Sequence, residues 1–332
     1  MDIKRPYLMF LGDAPDELAA KTAYGVAEWR PDWCVGQFRL PGCKADLKLK
    51  DMTMAEAASA GVKTVIIGVA NRGGVFSDAW VDVLVEALER GMDLAAGLHG
   101  RLRDVPRLKA AAEKGGRAMH DVRHPTRTFP VGNGKKRAGR RILTSGTDVS
   151  SGKKYTALAL EAEMKKRGMN ADFRATGQTG VLIAGSGTAI DAVVSDFISG
   201  AVETLAPENT PDHWDVIEGQ GSLFHPSYSG VTMGLIHGAQ PDYIVICHEP
   251  TREHVRGLPH YKLPTLEECI EANLWAARRT NPAVKILGIS LNTWKLNEAD
   301  ALRVIAETEK RLGLPTGDSI RTGTGKLVDA IR

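Results

Sequence analysis

Residues 146–153 have the composition and spacing of a loop that binds phosphate groups. The stretch GTDVSSGK has two glycines separated by five residues, one more than in the standard P-loop pattern, and a lysine directly after the second glycine. Glycines let backbone amides turn towards an anion, a following helix N-terminus adds partial positive charge, and a lysine adds a full one. The residues predicted to bind the phosphates are Gly146, Thr147, Asp148, Ser150, Ser151, Gly152, Lys153, Lys154 and Tyr155.

The residue after Lys153 distinguishes this loop from loops that hydrolyse nucleotides. In those loops a serine or threonine hydroxyl at that position ligates Mg²⁺, which bridges the β- and γ-phosphates during transfer. Here the position holds Lys154, whose ammonium group has no lone pair for a metal. Thr156 lies further along, on a different face of the predicted helix. We therefore predict a loop that holds phosphates without cleaving them, and no metal site.

Predicted strands and helices alternate around this loop, as a parallel sheet covered by helices requires. A helix over 153–167 follows the loop, and a long helix is predicted over 185–205. Ligands of open α/β sheets bind outside the carboxyl ends of the strands, so polar residues at those ends should converge. The strands are predicted at RRILTSG, NADFRATG, HWDVIEGQG, PDYIVICHE and VKILGISLN.

The first 130 residues show the same alternation, with strands predicted at YLMFL, KTVIIGVA and DLAAGLHG. Helices are predicted over 19–29 and from a cap at Ser77 to a terminating Gly91. No GxGxxG fingerprint is present, which argues against dinucleotide redox chemistry. Four residues that follow strands can line a cleft, although ordinary loop roles are favoured: Asn71, Arg72, Gly73 and His99.

Residues 121–141 interrupt the alternation with two prolines, three glycines and a basic cluster. Such a segment is typical of a linker. We therefore predict two α/β domains, 1–130 and 141–332, each a mostly parallel sheet flanked by helices, joined by a linker over 131–140. A solvated hinge is favoured over anion binding for the basic cluster Lys135, Lys136, Arg137, Arg140 and Arg141.

The composition favours a cytoplasmic protein that acts on a small molecule. Of the 332 residues, 43% are hydrophobic and 25% charged, with a net charge of only +3. Basic and acidic residues are interleaved, which argues against a nucleic-acid partner. The apolar run near the N-terminus is too short for a membrane anchor. Four widely spaced cysteines predict buried thiols in a reducing compartment rather than a metal site.

Four segments resemble dethiobiotin synthetase over most of 141–332. GTDVSSGKK, FRATGQTG, VIEGQGS and GISLNT occur in the order found in that family. There, an asparagine in the last segment binds a purine base, which corresponds to Asn292 here, whereas Arg174 replaces a lysine. This resemblance implies an alternative function as an ATP-dependent ligase or kinase that uses ATP with Mg²⁺. Because related P-loop enzymes tend to pair, we expect a homo-oligomer.

Longer segments along the entire chain resemble a second bacterial family more closely. They include GTDVSSGKKYTALAL, FRATGQTGVLIAGSGTAIDAVVSDFISGAVE and IEGQGSLFHPSYSGVTMGLIHGAQPD. This family, once catalogued only as a domain of unknown function, includes the D-glutamate N-acetyltransferases of D-amino acid catabolism. The resemblance implies a Rossmann-like N-terminal domain, a P-loop C-terminal domain, and transfer of the acetyl group of acetyl-CoA to the amine of D-glutamate. Acetyl-CoA suits the loop because its diphosphate is held and not cleaved.

Amide formation from a thioester needs an uncharged amine, a donor for the developing oxyanion and a proton route to the thiol. Glu218 ends a predicted buried strand, where its carboxylate can take a proton from the ammonium or position the amine; a structural or substrate hydrogen-bonding role is the alternative. His225 is the rival base, since imidazole titrates near neutral pH; capping of the turn before Pro226 is its alternative. Transfer through Cys247 is less favoured, because a buried thiol is expected there.

Polar residues at the remaining strand ends are predicted to bind the substrate. Arg174 or Arg252 can form a bidentate pair with a substrate carboxylate, with a surface or interdomain salt bridge as the alternative. Gln178, Thr179 and Ser222 are predicted donors to an amide or oxyanion.

Overall fold

The computed structural model describes residues 3–17, 19–69, 75–125 and 127–332. The chain divides into two compact units. Unit 1 takes in residues 1–127 and 177–192, and unit 2 takes in 128–176 and 193–332. The segment 177–192 therefore belongs to unit 1 by its contacts, although the chain on both sides of it belongs to unit 2. The domain limits at 130 and 141 remain a proposal.

Unit 1 is built on a five-stranded parallel sheet with the strand order β2-β1-β3-β4-β5. Strands β1, β3 and β4 are buried at every position, as expected for a parallel sheet covered on both faces. The elements in chain order are β1 (Tyr7–Gly12), α1 (Lys21–Trp29), β2 (Cys34–Arg39), α2 (Met54–Ser59), β3 (Thr64–Ile67), α3 (Asp78–Glu89), β4 (Asp93–Ala96), α4 (Pro106–Gly115) and β5 (Met119–Asp121).

The second part of the chain adds a six-stranded sheet. Its elements are β6 (Arg140–Gly146), α5 (Lys153–Lys166), β7 (Ala171–Arg174), α6 (Gln178–Ala184), α7 (Ile198–Leu205), β8 (Trp214–Ile217), α8 (Ser229–Ala239), β9 (Tyr243–His248), β10 (His254–Val255), β11 (Leu258–Lys262), α9 (Leu266–Ala277), β12 (Lys285–Leu291), α10 (Glu298–Leu312), β13 (Thr316–Gly317) and α11 (Gly325–Asp329). Of these, α6 lies in unit 1 and the rest form unit 2.

The sheet of unit 2 is parallel, with the order β13-β12-β9-β6-β8-β7, and β10 and β11 form a separate antiparallel hairpin. After β6, the chain fills one side of this strand with β7 and β8 and then crosses to the other side with β9. The ligand crevice of such a sheet lies beyond the carboxyl ends of the strands at this crossing. The topology therefore places the predicted phosphate loop at that crevice.

Most predicted elements are confirmed, including the cap of α3, in which Ser77 Oγ accepts a hydrogen bond from the Trp80 amide at 3.3 Å. The long helix predicted over 185–205 is wrong. Only α7 is regular there, preceded by two 3₁₀ turns at Ile190–Ala192 and Ser195–Phe197. Gly185 and Gly187 have φ values of 74° and 144°, which an α-helix does not tolerate.

The solvated hinge predicted for the basic cluster is wrong at two of its arginines. Arg141 is fully buried, and its guanidinium donates hydrogen bonds to four backbone carbonyls, among them those of Ala138 and Pro207. Arg137 donates to the carbonyl oxygens of Ala206 and Gly238. Carbonyl oxygens thus replace water around both cations. Lys135, Lys136 and Arg140 are exposed, as predicted.

None of the helices in the described ranges combines the length and apolar character that a bilayer crossing requires. All four cysteines are free, and three of them are buried, as the sequence predicts; Cys43 is half-buried. Burial raises the pKa of Cys247 to about 11, so this thiol is a poor nucleophile at neutral pH.

Candidate active site

The predicted phosphate loop connects the end of β6 to the start of α5. Ser150 and Gly152 adopt left-handed backbone conformations with φ values of 52° and 106°, which turn the chain sharply into the helix. No side chain caps the N-terminus of α5, and its first turn contains no acidic residue. The backbone N–H groups that begin a helix carry partial positive charge. The loop therefore ends in a set of donors suited to an anion.

Lys153 is a buried cation without a carboxylate partner. Its Nζ donates to the carbonyl oxygen of Asp148 at 2.7 Å and lies 3.4 Å from Ser151 Oγ. In the parts of the chain that the structure describes, no carboxylate pairs with it, since the carboxylate of Asp148 pairs with Arg252. Burial lowers the pKa of Lys153 to about 8. Because an uncompensated buried charge is costly, this ammonium group suits an anionic ligand.

The lowered pKa of Lys153 predicts that binding of a diphosphate ligand weakens in alkaline solution. The ligand is bound by the ammonium form, which is lost as the pH rises through about 8 in the free protein. The dissociation constant of a diphosphate ligand should therefore be flat below pH 7.5 and rise by up to about tenfold per pH unit above pH 8. Calorimetric titration between pH 6.5 and 9.5 measures this. A Lys153→Arg variant, always charged, should show no such rise; a flat wild-type profile would contradict the prediction.

Arg252 holds the phosphate loop in shape. Its Nη1 donates to Asp148 Oδ2 and to the carbonyl oxygen of Val149, both at 2.7 Å. It also pairs with Glu249, which in turn pairs with Lys295 at 2.8 Å. Arg252 is therefore engaged in ion pairs with two carboxylates of unit 2. A role in binding a substrate carboxylate remains a proposal.

A second set of contacts links the loop to the strands on either side of β6. Thr147 Oγ1 lies 3.0 Å from Nδ1 of His248, at the end of β9. The hydroxyl of Ser222, beyond the end of β8, donates to the carbonyl oxygen of Thr147 at 3.0 Å. Ser222 thus lies at the loop, but its hydroxyl proton is donated to the carbonyl oxygen of Thr147. Its predicted role as an oxyanion donor remains a proposal.

Because burial lowers the pKa of His248 to about 4, this residue should make the fold sensitive to acid. Histidine titrates near pH 6.5 in the unfolded chain, so between pH 6.5 and 4 the unfolded chain binds more protons than the folded one. The free energy of unfolding therefore decreases as the pH is lowered through that window. The expected loss from this group is about 2 kcal/mol at pH 5. Urea unfolding of wild type and His248→Asn at pH 7 and 5 tests this: the variant should lose less stability, and equal losses would contradict it.

Glu218 lies directly after β8 and is buried. Its Oε2 accepts a hydrogen bond from the Thr176 amide at 3.0 Å, and its carbonyl oxygen accepts one from the Thr176 hydroxyl at 2.6 Å. The next residue, Gly219, approaches the loop so closely that a Cβ there would lie 1.7 Å from the carbonyl oxygen of Thr144 and 2.9 Å from Lys153 Cδ. Glu218 is therefore the residue directly before Gly219, which contacts the loop lysine, Lys153.

His225 is buried in the turn after β8, and its Nδ1 accepts a hydrogen bond from the Ser227 amide at 3.1 Å. Its ring also packs on Tyr228, with 4.4 Å between ring centroids. Nδ1 is therefore the acceptor, so the neutral ring carries its proton on Nε2. This geometry matches the turn-capping alternative and favours a donor role for Nε2 over the role of base.

The remaining predicted substrate residues are divided between the two units. Arg174 donates through Nε to Asp215 Oδ1 at 2.6 Å and lies 3.8 Å from the carboxylate of Asp172, so it is held in ion pairs. Gln178 and Thr179 begin α6 and belong to unit 1. Their roles remain proposals. His99 also lies in unit 1, whereas Asn71, Arg72 and Gly73 fall outside the described residues.

A cavity of about 350 Å³ opens beside the first turn of α5. Asn292 lines it, and the Cβ of Asn292 is 3.6 Å from the position that a Cβ on Gly152 would occupy. The structure thus places the predicted base-binding asparagine next to the phosphate loop. Three groups of residues form the wall: Ser151, Gly152 and Tyr155; Ser290, Asn292 and Trp294; Asp318, Ile320 and Arg321.

The part of the cavity wall that follows the two-residue strand β13 was not predicted from the sequence. Asp318 shapes this wall: its Oδ2 accepts hydrogen bonds from Thr293, and its Oδ1 accepts the amides of Ile320 and Arg321. Burial opposes ionisation, but these hydrogen bonds outweigh it and lower the pKa of Asp318. A strand of two residues leaves no periodic pattern in the sequence. The cue that was available is Asp318, followed by Ser319 and, two positions later, by Arg321.

The chain matches known proteins along its whole length. Residues 130–328 match the family described as domain of unknown function DUF1611_C, P-loop domain, and residues 38–125 match DUF1611_N, Rossmann-like domain. A D-glutamate N-acetyltransferase of Tritonibacter scottomollicae is 58% identical over 329 residues, 99% of each chain. A protein of the same name from a Pseudoalteromonas species is 46% identical over 328 residues, again 99% of each.

A solved structure agrees with these matches. The crystal structure of a DUF1611 family protein from Anabaena variabilis is 33% identical, with a TM-score of 0.84, and the match covers 98% of this chain and 99% of that one. The predicted fold class, two α/β domains with a Rossmann-like and a P-loop part, is thereby confirmed. The chain belongs to the DUF1611 family.

Proposed function

We propose that the protein is an N-acetyltransferase that transfers the acetyl group of acetyl-CoA to the amine of D-glutamate. Two relatives that bear this name align with 99% of the chain, at 58% and 46% identity, which supports the assignment. The observation that carries it in the structure is the phosphate loop itself. This loop keeps an uncapped helix N-terminus and the buried ammonium of Lys153, but has Lys154 at the position of the metal-binding hydroxyl.

The residues of the loop suit the diphosphate of acetyl-CoA. The amides that begin α5 and the ammonium of Lys153 offer donors to its oxygens. Lys154, whose ammonium lies 4.6 Å from the centre of the Tyr155 ring, adds positive charge at the edge of the loop. Acetyl-CoA itself supplies the activated acyl group.

The alternative of an ATP-dependent ligase or kinase lacks support. Beyond Lys154, the nearest serine or threonine hydroxyl on α5 is that of Thr156, which is buried and lies 2.8 Å from Ser290 Oγ. This hydroxyl is therefore committed to a contact between α5 and β12.

We propose roles for two residues near the loop in the acetyl transfer. The amine forms a bond to the acetyl carbon, the bond from that carbon to sulfur breaks, and one proton leaves the nitrogen. Glu218 is the proposed acceptor of that proton, because it is buried and directly precedes Gly219, which contacts the loop lysine. His225 is proposed to present its Nε2 proton to the developing negative charge.

The reaction is tested by mixing protein, acetyl-CoA and D-glutamate with a metal chelator and following thiol release with a disulfide reagent. Release that requires D-glutamate and persists with the chelator is expected, and L-glutamate serves as the matched control. Phosphate release from ATP that depends on Mg²⁺, without thiol release, would contradict the assignment.

We also propose that the enzyme acts in the cytoplasm, as a homo-oligomer, in D-amino acid catabolism. Free cysteines, three of them buried, suit a reducing compartment. Size measurement of the purified protein by light scattering tests the oligomer.

A further inference from the structure

We propose that the cavity beside α5 holds the adenosine end of acetyl-CoA and that Arg321 recognises its 3′-phosphate. This inference rests on the proposed function. Acetyl-CoA carries two anionic parts: a diphosphate on the 5′ side of its ribose and a phosphate on the 3′ oxygen. The loop at 146–153 accounts for the first part only, so the second needs a separate cation.

The cavity lies where the adenosine must go once the loop holds the diphosphate. Gly152, Asn292 and Arg321 all line it. Two large apolar side chains on its wall, Trp294 and Ile320, are 67% and 61% exposed. Exposed apolar side chains around a concave site next to polar groups are typical of a ligand site. A flat aromatic base would cover them, with the amide of Asn292 available to its edge.

Arg321 is the cation among the described residues that line this cavity. Its Nε donates to Thr293 Oγ1 at 3.2 Å and its Nη2 to the carbonyl oxygen of Leu296 at 3.0 Å. These two bonds fix the guanidinium but use only part of its five N–H donors. No carboxylate within the described ranges forms an ion pair with it, because Asp318 spends its oxygens on Thr293 and on backbone amides.

This arrangement distinguishes CoA from nucleotides that bear a hydroxyl at the 3′ position. A guanidinium held by two hydrogen bonds presents a rigid pair of donors, the geometry that matches a phosphate. Dephospho-CoA keeps the diphosphate and the base and lacks only the 3′-phosphate. The wild-type protein should therefore bind CoA about tenfold or more tightly than dephospho-CoA, and the ratio should shrink at high salt because the contact is near solvent.

The test is calorimetric titration of wild type, Arg321→Gln and Arg303→Gln with CoA and with dephospho-CoA. Arg303 lies on α10, pairs with Asp300 and Glu307, and makes the same change in net charge as the control. We expect Arg321→Gln to lose the preference by weakening CoA alone, with dephospho-CoA bound as by wild type. Arg303→Gln should keep the preference.

Two results would overturn the inference while leaving the acetyltransferase assignment in place. One is a wild-type protein that binds CoA and dephospho-CoA equally, a result that needs no variant. The other is an Arg321→Gln variant that keeps the wild-type ratio. If the wild-type protein binds no CoA and releases no thiol from acetyl-CoA, the proposed function fails as well.

Discussion

Replacing Lys153 with alanine is expected to weaken acetyl-CoA binding by roughly 100-fold, the size of a lost charge-assisted bond to a buried anion. Among the described residues, the Nζ of Lys153 bonds to a carbonyl and a hydroxyl of its own loop and to no carboxylate, so we expect the ligand to supply the counter-charge. The fold should not suffer, because burial already penalises the ammonium, as its lowered pKa shows. Titration calorimetry gives the affinity, and thermal unfolding gives the stability.

Lys166 provides the matched control for this experiment. It lies in the last turn of the same helix, α5, with its side chain 78% exposed. Lys166→Ala should bind acetyl-CoA as wild type does. If Lys153→Ala also binds within about threefold of wild type while remaining folded, the loop is not the diphosphate site, and the proposed function loses its structural support.

Replacing Glu218 with glutamine is expected to lower kcat by roughly 100-fold to 1000-fold and to change the KM for acetyl-CoA little. Glutamine keeps an oxygen for the Thr176 amide, so the local structure should persist, but it cannot take a proton. Steady-state thiol release gives both constants. The pH profile of kcat/KM adds a readout that a structural role would not move, since the acid limb expected for wild type should be absent in the variant.

Glu203→Gln is the control for this variant. Glu203 is also a buried carboxylate that accepts backbone amides, those of Asn133 and Gly134, and it lies on α7. It should alter stability without altering the pH profile. A Glu218→Gln enzyme with wild-type kcat would assign Glu218 the structural role that the sequence left open, and the proton acceptor would have to be sought elsewhere.

The phosphate loop could be predicted because its information is local. Glycine spacing, the preceding strand and the following helix all lie between Arg140 and Lys166, and α5 begins at the predicted Lys153. The position of Asn292 could also be predicted, since parallel strand ends meet at one edge of a sheet. Both follow from rules that need no knowledge of side-chain packing.

The contacts that shape the loop could not be predicted in this way. Arg252 and Asp148 are 104 positions apart, and only the folded sheet makes them neighbours. Burial of Arg141 depends on carbonyls from a turn before β6 and from Pro207, which no sequence pattern marks. The tautomer of His225 likewise depends on the amide of Ser227. Strand order could be inferred, but the pairing of polar atoms required coordinates.

The path of the chain through α6 has a consequence for how the protein is made and dissected. Unit 1 includes 177–192, where the Ile3 amide bonds to the carbonyl of Gly185 at 2.9 Å. A ribosome must therefore synthesise residue 192 before the N-terminal unit can finish folding, by which time two strands of the next sheet, β6 and β7, have already been synthesised. Val181, Leu182 and Ile183 are all buried in the intact chain. A fragment that starts at residue 128 would contain them but would lack the rest of unit 1. The two sheets are thus to be expressed as one piece.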